Sequence, residues 1–405
     1  MKKKRIAIAY QYILLFMLIY SAKAQVISGK VIDETTHQPI PLTYVYLSSG
    51  LGTLSNDDGD FIINYKAGNN RDTLFLSHVS FEKKQLVLSD YRDLLIKLTP
   101  LTTVLKEVVV HGNDETMKLM NSVYQQIKST STTTHFGKGF YRQIIRNNNV
   151  PTEIHEIFMD VSYSSNGINK YVSREARFAK KKSTPEKPVI SFGNQMQMAV
   201  NFFLAPPDKR SFVRPFNDGF IDNIDFYISQ ELITPTGNFL MISFEPINAT
   251  NRNSMKGTLI INKANNCVCK FEGKTNSSFG ADSVKIGDKK YFVFNHEFNF
   301  SYGYDCENKV SSKLIYSDVT SHFESKYGRT EVHSNFFIYE TGNKKIKGLK
   351  NFDLKAKDLE IIKNTKYHAE FWKTNEIIKR TPLEDKVIAS FEKENTFGNY
   401  SVEHP

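Results

Sequence analysis

The feature that most restricts the fold of this chain is a run of long stretches in which apolar and polar residues alternate. They include KGFYRQIIRNN from Lys138, TEIHEIFMDVSYS from Thr152 and NKYVSREARFAK from Asn169, then KGTLIINKANNCVCKFEGK from Lys256. KYFVFNHEFNFSYG from Lys290, VSSKLIYSDVTSHF from Val310 and TEVHSNFFIYE from Thr330 complete the series. A period of two puts successive side chains on opposite faces of a strand and cannot form the apolar stripe of a helix. Turn-forming residues at Asn147 to Pro151, Ser165 to Gly167 and Asn265-Asn266 join neighbouring stretches as hairpins. The expected fold class is therefore mainly β, with a curved antiparallel sheet over residues 135–345.

A helix is expected ahead of that sheet, over 111–134. Asn113 or Asp114 can cap its free amides, and Met117, Met120, Tyr124 and Ile127 fall on one face. STSTTT from Ser129 ends it. Helix and meandering sheet together resemble, in outline, the lipoprotein-carrier half-barrel fold; no motif accompanies that likeness.

Residues 25–110 read as a separate β-sandwich. Val31 begins one strand, Val45 and Leu47 share a face of a second, and Phe61 and Ile63 mark a third. Asn56 to Asp60 (NDDGD) reads as a tight turn in which Gly59 takes the positive φ; the lack of a later bidentate Glu speaks against a calcium loop. The spacing of Gly29-x-Val31-x-Asp33, Pro39-x-Pro41-Leu42, Val45-x-Leu47, Gly52-Thr53 and Asp58-Gly59-x-Phe61, with DTLFLSHVSF from Asp72, resembles the carboxypeptidase-regulatory-like domain. That resemblance implies a transthyretin-like sandwich found at the front of exported bacterial envelope proteins. It implies no catalysis, because the domain is an accessory to peptidases. A zinc carboxypeptidase needs His-x-x-Glu plus a distant His, and the sequence holds no His-x-x-Glu.

TVLKEVVVHGND from Thr103 is similar to the coupling segment of TonB-dependent transporters. Fewer than 300 residues follow it, too few for a plug and a large barrel. VLKEVVV is instead expected to be a strand that closes the first module.

Lys2, Lys3, Lys4 and Arg5 precede an apolar run from Ile6 to Tyr20 and an Ala22-Lys23-Ala24 site, the order of a secretory signal peptide over 1–24. These residues and Lys23 supply half of the formal charge of +10. Localisation in the periplasm or at the outer-membrane periphery of a two-membrane bacterium is expected. No transmembrane span is expected in the mature chain. No nucleic-acid motif, nucleophile elbow, phosphate loop or dinucleotide fingerprint occurs. Asp222 and Asp225 read as surface-loop carboxylates.

Residues 183–222 interrupt the strand pattern and are rich in Met and Phe. Met196, Met198, Phe202, Phe203 and Phe212 are candidate ligand-binding residues if this stretch covers the concave face of the sheet; core filling is the plainer reading. Cys267 and Cys269 sit two apart, and either can bond Cys306 in an oxidising compartment, or all three can remain thiols. No zinc set is present. Residues 346–405 should form a helical cap. In it Thr381, Pro382 and Glu384 make a capping box, and Val387, Ile388 and Phe391 line one face. Trp372 is expected to pack on the sheet.

The expected function is that of a non-catalytic exported envelope protein without cofactor. Its sandwich would contact an envelope protein partner, and its larger β domain would bind a lipid or other apolar or amphipathic ligand. Surface carbohydrate binding, or a hydrolase with a motif-less site, are the alternatives.

Overall fold

The structure is a computed structural model that describes residues 24–66, 72–87, 93–101, 114–183, 189–191, 195–200, 224–234, 237–247, 255–275, 283–286, 289–306, 313–342, 344–353, 356–375, 377, 379–394 and 396–398. The signal-like segment, VLKEVVV, Asp222, and Phe202, Phe203 and Phe212 lie outside the described residues.

The first module has seven strands: β1 (Ala24–Asp33), β2 (Tyr44–Leu47), β3 (Gly52–Leu54), β4 (Asp60–Lys66), β5 (Thr73–His78), β6 (Phe81–Val87) and β7 (Leu94–Leu98). They form two sheets, ordered β4-β1-β7 and β3-β2-β5-β6. The inward positions Val31, Val45, Leu47, Phe61, Ile63 and Leu74 meet in one apolar core. The turn before β4 is built locally. Asn56 Oδ1 accepts from the amides of Asp58 (3.0 Å) and Asp60 (2.9 Å), and Gly59 adopts φ +76°, where a Cβ would lie 2.4 Å from the Val31 carbonyl oxygen.

Helix α1 (Asp114–Thr130) follows and buries Met120, Tyr124 and Ile127. The large sheet contains β8 (His135–Asn147), β9 (Val150–Ser164) and β10 (Gly167–Lys180); after the short helix α2 (Met196–Val200) come β11 (Ile224–Thr234), β12 (Gly237–Pro246), β13 (Met255–Asn262) and β14 (Cys267–Thr275). Next are β15 (Ser283–Ile286), β16 (Lys289–Asp305), β17 (Lys313–Ser325), β18 (Gly328–Gly342) and β19 (Lys350–Asn351). Their spatial order is β11-β12-β13-β14-β16-β17-β18-β8-β9-β10-β19, with β15 on β16. Three helices end the chain: α3 (Asp358–Lys363), α4 (Ala369–Thr374) and α5 (Pro382–Lys393).

Four of these strands, β11, β12, β15 and β19, were not anticipated. Asp225 is therefore in a strand, opposite Glu245, and not on a surface loop. The hairpin turns do fall at Asn148-Asn149 and at Asn266, which take positive φ. The sheet is strongly bent, since β17 and β9 approach one another although β18 and β8 lie between them. Its inner face is filled by α1 against β11 and β14, α2 against β17 and β18, and α3 against β9 and β10. Inward residues of β8–β14 and β16–β18 join these helices in a single apolar core.

The outer face carries the sandwich and the last two helices, α4 and α5. Leu54 packs with Phe140, Phe158, Phe337 and Trp372. Thr53 Oγ1 donates to the Ile377 carbonyl (2.6 Å), and Asn56 Nδ2 donates to that of Lys379 (3.2 Å). The capping box of Thr381 and Glu384 starts α5, whose Val387, Ile388 and Phe391 cover Ile144, Ile154 and Ala179. No helix among the described residues is long and apolar enough to cross a membrane.

Candidate functional site between sandwich and sheet

In β2 the sequence alternates Tyr44-Val45-Tyr46-Leu47. Val45 and Leu47 enter the sandwich core, so both tyrosines point out of it. An outward sheet face normally carries polar residues. Here Tyr44 stacks on Tyr46 (centroids 4.5 Å apart) and Tyr46 on Phe75 (5.2 Å), an aromatic ladder running across β2 and β5. One end closes on the large sheet, where Tyr44 meets the edge of Phe337 at 6.0 Å. The rest of the ladder faces a cleft of about 510 Å³ between the two modules.

The opposite wall is the outer face of β12, β14, β16 and β17. Phe239, the Cys269–Cys306 disulfide, Gly303 and Tyr316 line it. A Cβ at Gly303 would lie 2.1 Å from Cε1 of Tyr316, so the absence of a side chain there lets the Tyr316 ring lie across the strand. Leu101, at the end of the described sandwich, also borders the cleft.

Its electrostatics are muted. Burial pushes the Tyr44 and Tyr316 phenols far above the usual tyrosine range, which keeps them neutral. Burial, with the Lys270 charge, pushes the His78 imidazole down to about 3, so it is also neutral. Lys270 pairs with Glu272 at 2.7 Å and Lys313 with Asp305 at 3.3 Å. Lys83 Nζ sits 5.7 Å from the centroids of Tyr46 and Phe75, within cation–π range of both. The chemistry available is apolar and aromatic contact with one cationic edge.

A second polar cluster lies on the inner face. His155 Nε2 is 2.6 Å from Glu153 Oε1, the Ser191 hydroxyl donates to Glu153, and Lys180 Nζ donates to Ser191 Oγ at 2.5 Å. This resembles a nucleophile with a base, but the balance of charge opposes that role. Although burial acts to raise it, the hydrogen bond and charge of His155, with Lys180 and Ser191, hold the Glu153 carboxyl below its ordinary value. A carboxylate held low is a poor base for a serine hydroxyl. Glu153 and His155 are also fully buried. Among the described residues no group of His, Cys, Asp and Glu is placed to hold a metal.

Of the residues singled out from sequence, Met196 opens α2 and is buried in the core, and its amide donates to Asp358 Oδ2 at 3.3 Å. The side chain of Met198 lies outside what is described, as do Phe202, Phe203 and Phe212. Cys269 and Cys306 form a disulfide, while Cys267 is a buried thiol that accepts from Gln126 Nε2 at 3.6 Å. The cleft aromatics were not singled out, although aromatic residues at both outward positions of TYVYL were a readable signal.

Residues 27–110 match the CarboxypepD_reg-like domain model. No curated protein matches the chain. Among solved structures, a DUF1329 family protein from Desulfovibrio piger is 9% identical, with 62% of this chain and 98% of that one covered, at a TM-score of 0.24. A mutant porin from Rh. blastica is 8% identical over 51% and 99% of the two chains, at 0.12. An acyl-CoA thioesterase II from Mycobacterium marinum is 8% identical over 60% and 96%, at 0.10. Scores this low carry no inference about shared fold or function.

Proposed function

We propose that this is an exported, non-catalytic envelope protein that holds an apolar or amphipathic ligand in the cleft between its two modules. The observation that carries the reading is the Tyr44–Tyr46–Phe75 ladder: three aromatic rings on a face that water would ordinarily wet, turned toward a cavity of ligand size. Lys83 at the end of the ladder suits a polar or anionic headgroup. Export is supported by the order of basic residues, apolar run and Ala-x-Ala in the first 24 residues. The CarboxypepD_reg-like domain, which is regulatory and not catalytic in character, supports an accessory role and contact with a protein partner.

Native mass spectrometry with solvent extraction, on protein purified from its own envelope without detergent, tests this. A reproducible extra mass released as lipid, and lost in Phe75→Ala and Phe239→Ala, is expected. A bare polypeptide mass would remove the ligand from the reading and leave the sandwich as a protein-interaction module.

A further inference from the structure

Val268 and Phe271 of β14 enter the inner core, so Cys267 and Cys269, on either side of Val268, lie on the outer face. There they pack with Cys306, which directly follows β16, and with Ile260 in one buried apolar cluster. Phe239 and Met241 of β12 and Val79 of the sandwich complete it. Three cysteines thus meet where the two modules join, and one disulfide among them leaves one thiol, Cys267.

The strand register makes both Cys267 and Cys269 neighbours of Cys306. Phe271 pairs with Tyr302 and Lys270 with Gly303; three further steps of the same ladder would set Cys306 opposite Cys267. The ladder stops at Lys270, next to a bulge. Against β13, Ile261 pairs with Val268 and Ile260 with Lys270, which leaves Cys269 as the extra residue. The bulged Cys269 is the one bonded to Cys306, with their Cα atoms 5.1 Å apart.

Cys267 nonetheless stays beside Cys306. Asn265 Oδ1 accepts from the Cys267 amide at 3.0 Å while Asn265 Nδ2 donates to the Cys306 carbonyl at 3.1 Å, so one carboxamide spans the two backbones. Asn262 Nδ2 donates to the same carbonyl at 3.3 Å. Cys267 Sγ accepts from Gln126 Nε2 at 3.6 Å, a donor that favours the negative charge a sulfur carries when it attacks a disulfide.

We propose that this disulfide exchanges within the folded chain, with Cys267 and Cys269 alternating as the partner of Cys306. Cys267 gives up its proton and its thiolate attacks Sγ of Cys306. The Cys267–Cys306 bond forms as the Cys269–Cys306 bond breaks, and the electron pair leaves on Cys269 Sγ, which takes up a proton. One thiol and one disulfide remain, so no oxidant or reductant is consumed. The two forms differ in what they present to the cleft, because Cys269 borders it and Cys267 does not. Exchange converts a sequestered thiol into one on the cleft wall, a modification site for an electrophile or a small disulfide. It stands whether or not the cleft holds an apolar ligand.

The test is N-ethylmaleimide labelling of the full folded chain, purified without reductant. Labelling is followed by peptic digestion at acid pH, where thiolate exchange stops, and by fragmentation of the peptide that holds Cys267, Val268 and Cys269. The label should sit on Cys269, with Cys267 bonded to Cys306, although the thiol of the structure is Cys267. Cys269→Ser should oxidise in air to Cys267–Cys306, and Cys267→Ser should lose the labelling. Label on Cys267 with Cys269–Cys306 intact would overturn the proposal. So would a folded chain that takes no label while the unfolded chain takes it on Cys267, or a folded Cys269→Ser protein that keeps both thiols. Should Cys269→Ser not fold, the position of the label in the parent decides alone.

Discussion

His333 Nε2 lies 2.7 Å from Asp318 Oδ2 across the β17–β18 pair, and the two face Asp57 of the sandwich turn. The Asp318 carboxylate raises the imidazole to about 9, against burial and the Arg146 charge, with Glu384 adding to the rise. Because the folded value exceeds the ordinary 6.5, this contact stabilises fully below pH 6.5 and its contribution is lost as pH rises through about 9. His333→Gln should cost about 1.5–3 kcal/mol at neutral pH. Melting temperatures taken from pH 6 to 10 should decline for the parent and run flatter for the variant; parallel curves would contradict the assignment.

Glu156 is clamped between Arg142 Nε at 2.7 Å and Arg177 Nε, with all three side chains buried. Burial alone would raise its carboxyl, but the Arg177 and Arg142 charges hold it at about 2. Glu156→Gln leaves two buried cations short of a counter-charge and should destabilise by about 3–5 kcal/mol in urea titration at pH 7. For the parent, the stabilising contribution is present above pH 4.5 and disappears as pH falls through about 2.

Asp358 behaves in the opposite sense. At the start of α3 it accepts from Tyr141 Oη (3.2 Å) and the Met196 amide (3.3 Å), and burial raises its carboxyl to about 7. A carboxyl raised on folding favours the native state at low pH, and that advantage fades as pH climbs from about 4 through about 7. Asp358→Asn should therefore flatten the pH dependence in this range. Urea midpoints at pH 5 and pH 8 should lie closer together in the variant than in the parent.

Leu54 joins the sandwich to the ring cluster around Trp372, which meets Phe158 at 5.2 Å and the Arg177 guanidinium at 4.4 Å. Leu54→Ala should cost about 2–5 kcal/mol through the cavity left behind. Trp372 is the sole tryptophan, so its emission reports directly on this docking. A red shift and iodide quenching in the variant are expected; unchanged emission would show that the modules stay docked without Leu54.

Local pattern carried much of this architecture. The α1 stripe, the alternation at Val45, Leu47, Phe61 and Ile63, and the Thr381–Glu384 capping box are short-range signals that place residues correctly without knowledge of the partner surface. The β11–β12 hairpin escaped notice because a bulge between Ile228 and Gln230 breaks the period of two. Which strands meet was beyond local reading, since Val332 pairs with Ile145 only through a register set by the whole sheet. The cleft belongs to that second category. Tyr46 and Phe75 become a surface, and Cys269 and Cys306 neighbours, only when distant segments are aligned.

The pairing of β8 with β18 also has a temporal side. For a chain that emerges amino end first, the hairpins β8–β9 and β9–β10 can form early, but β8 must wait for nearly two hundred residues before its other neighbour exists. During that interval β8 presents unpaired amides and carbonyls, the template on which a second nascent chain could add a strand. Closure by so distant a segment makes folding slow. Synthesis at low temperature, or a holding chaperone, should raise the yield of this protein more than any substitution on its finished surface.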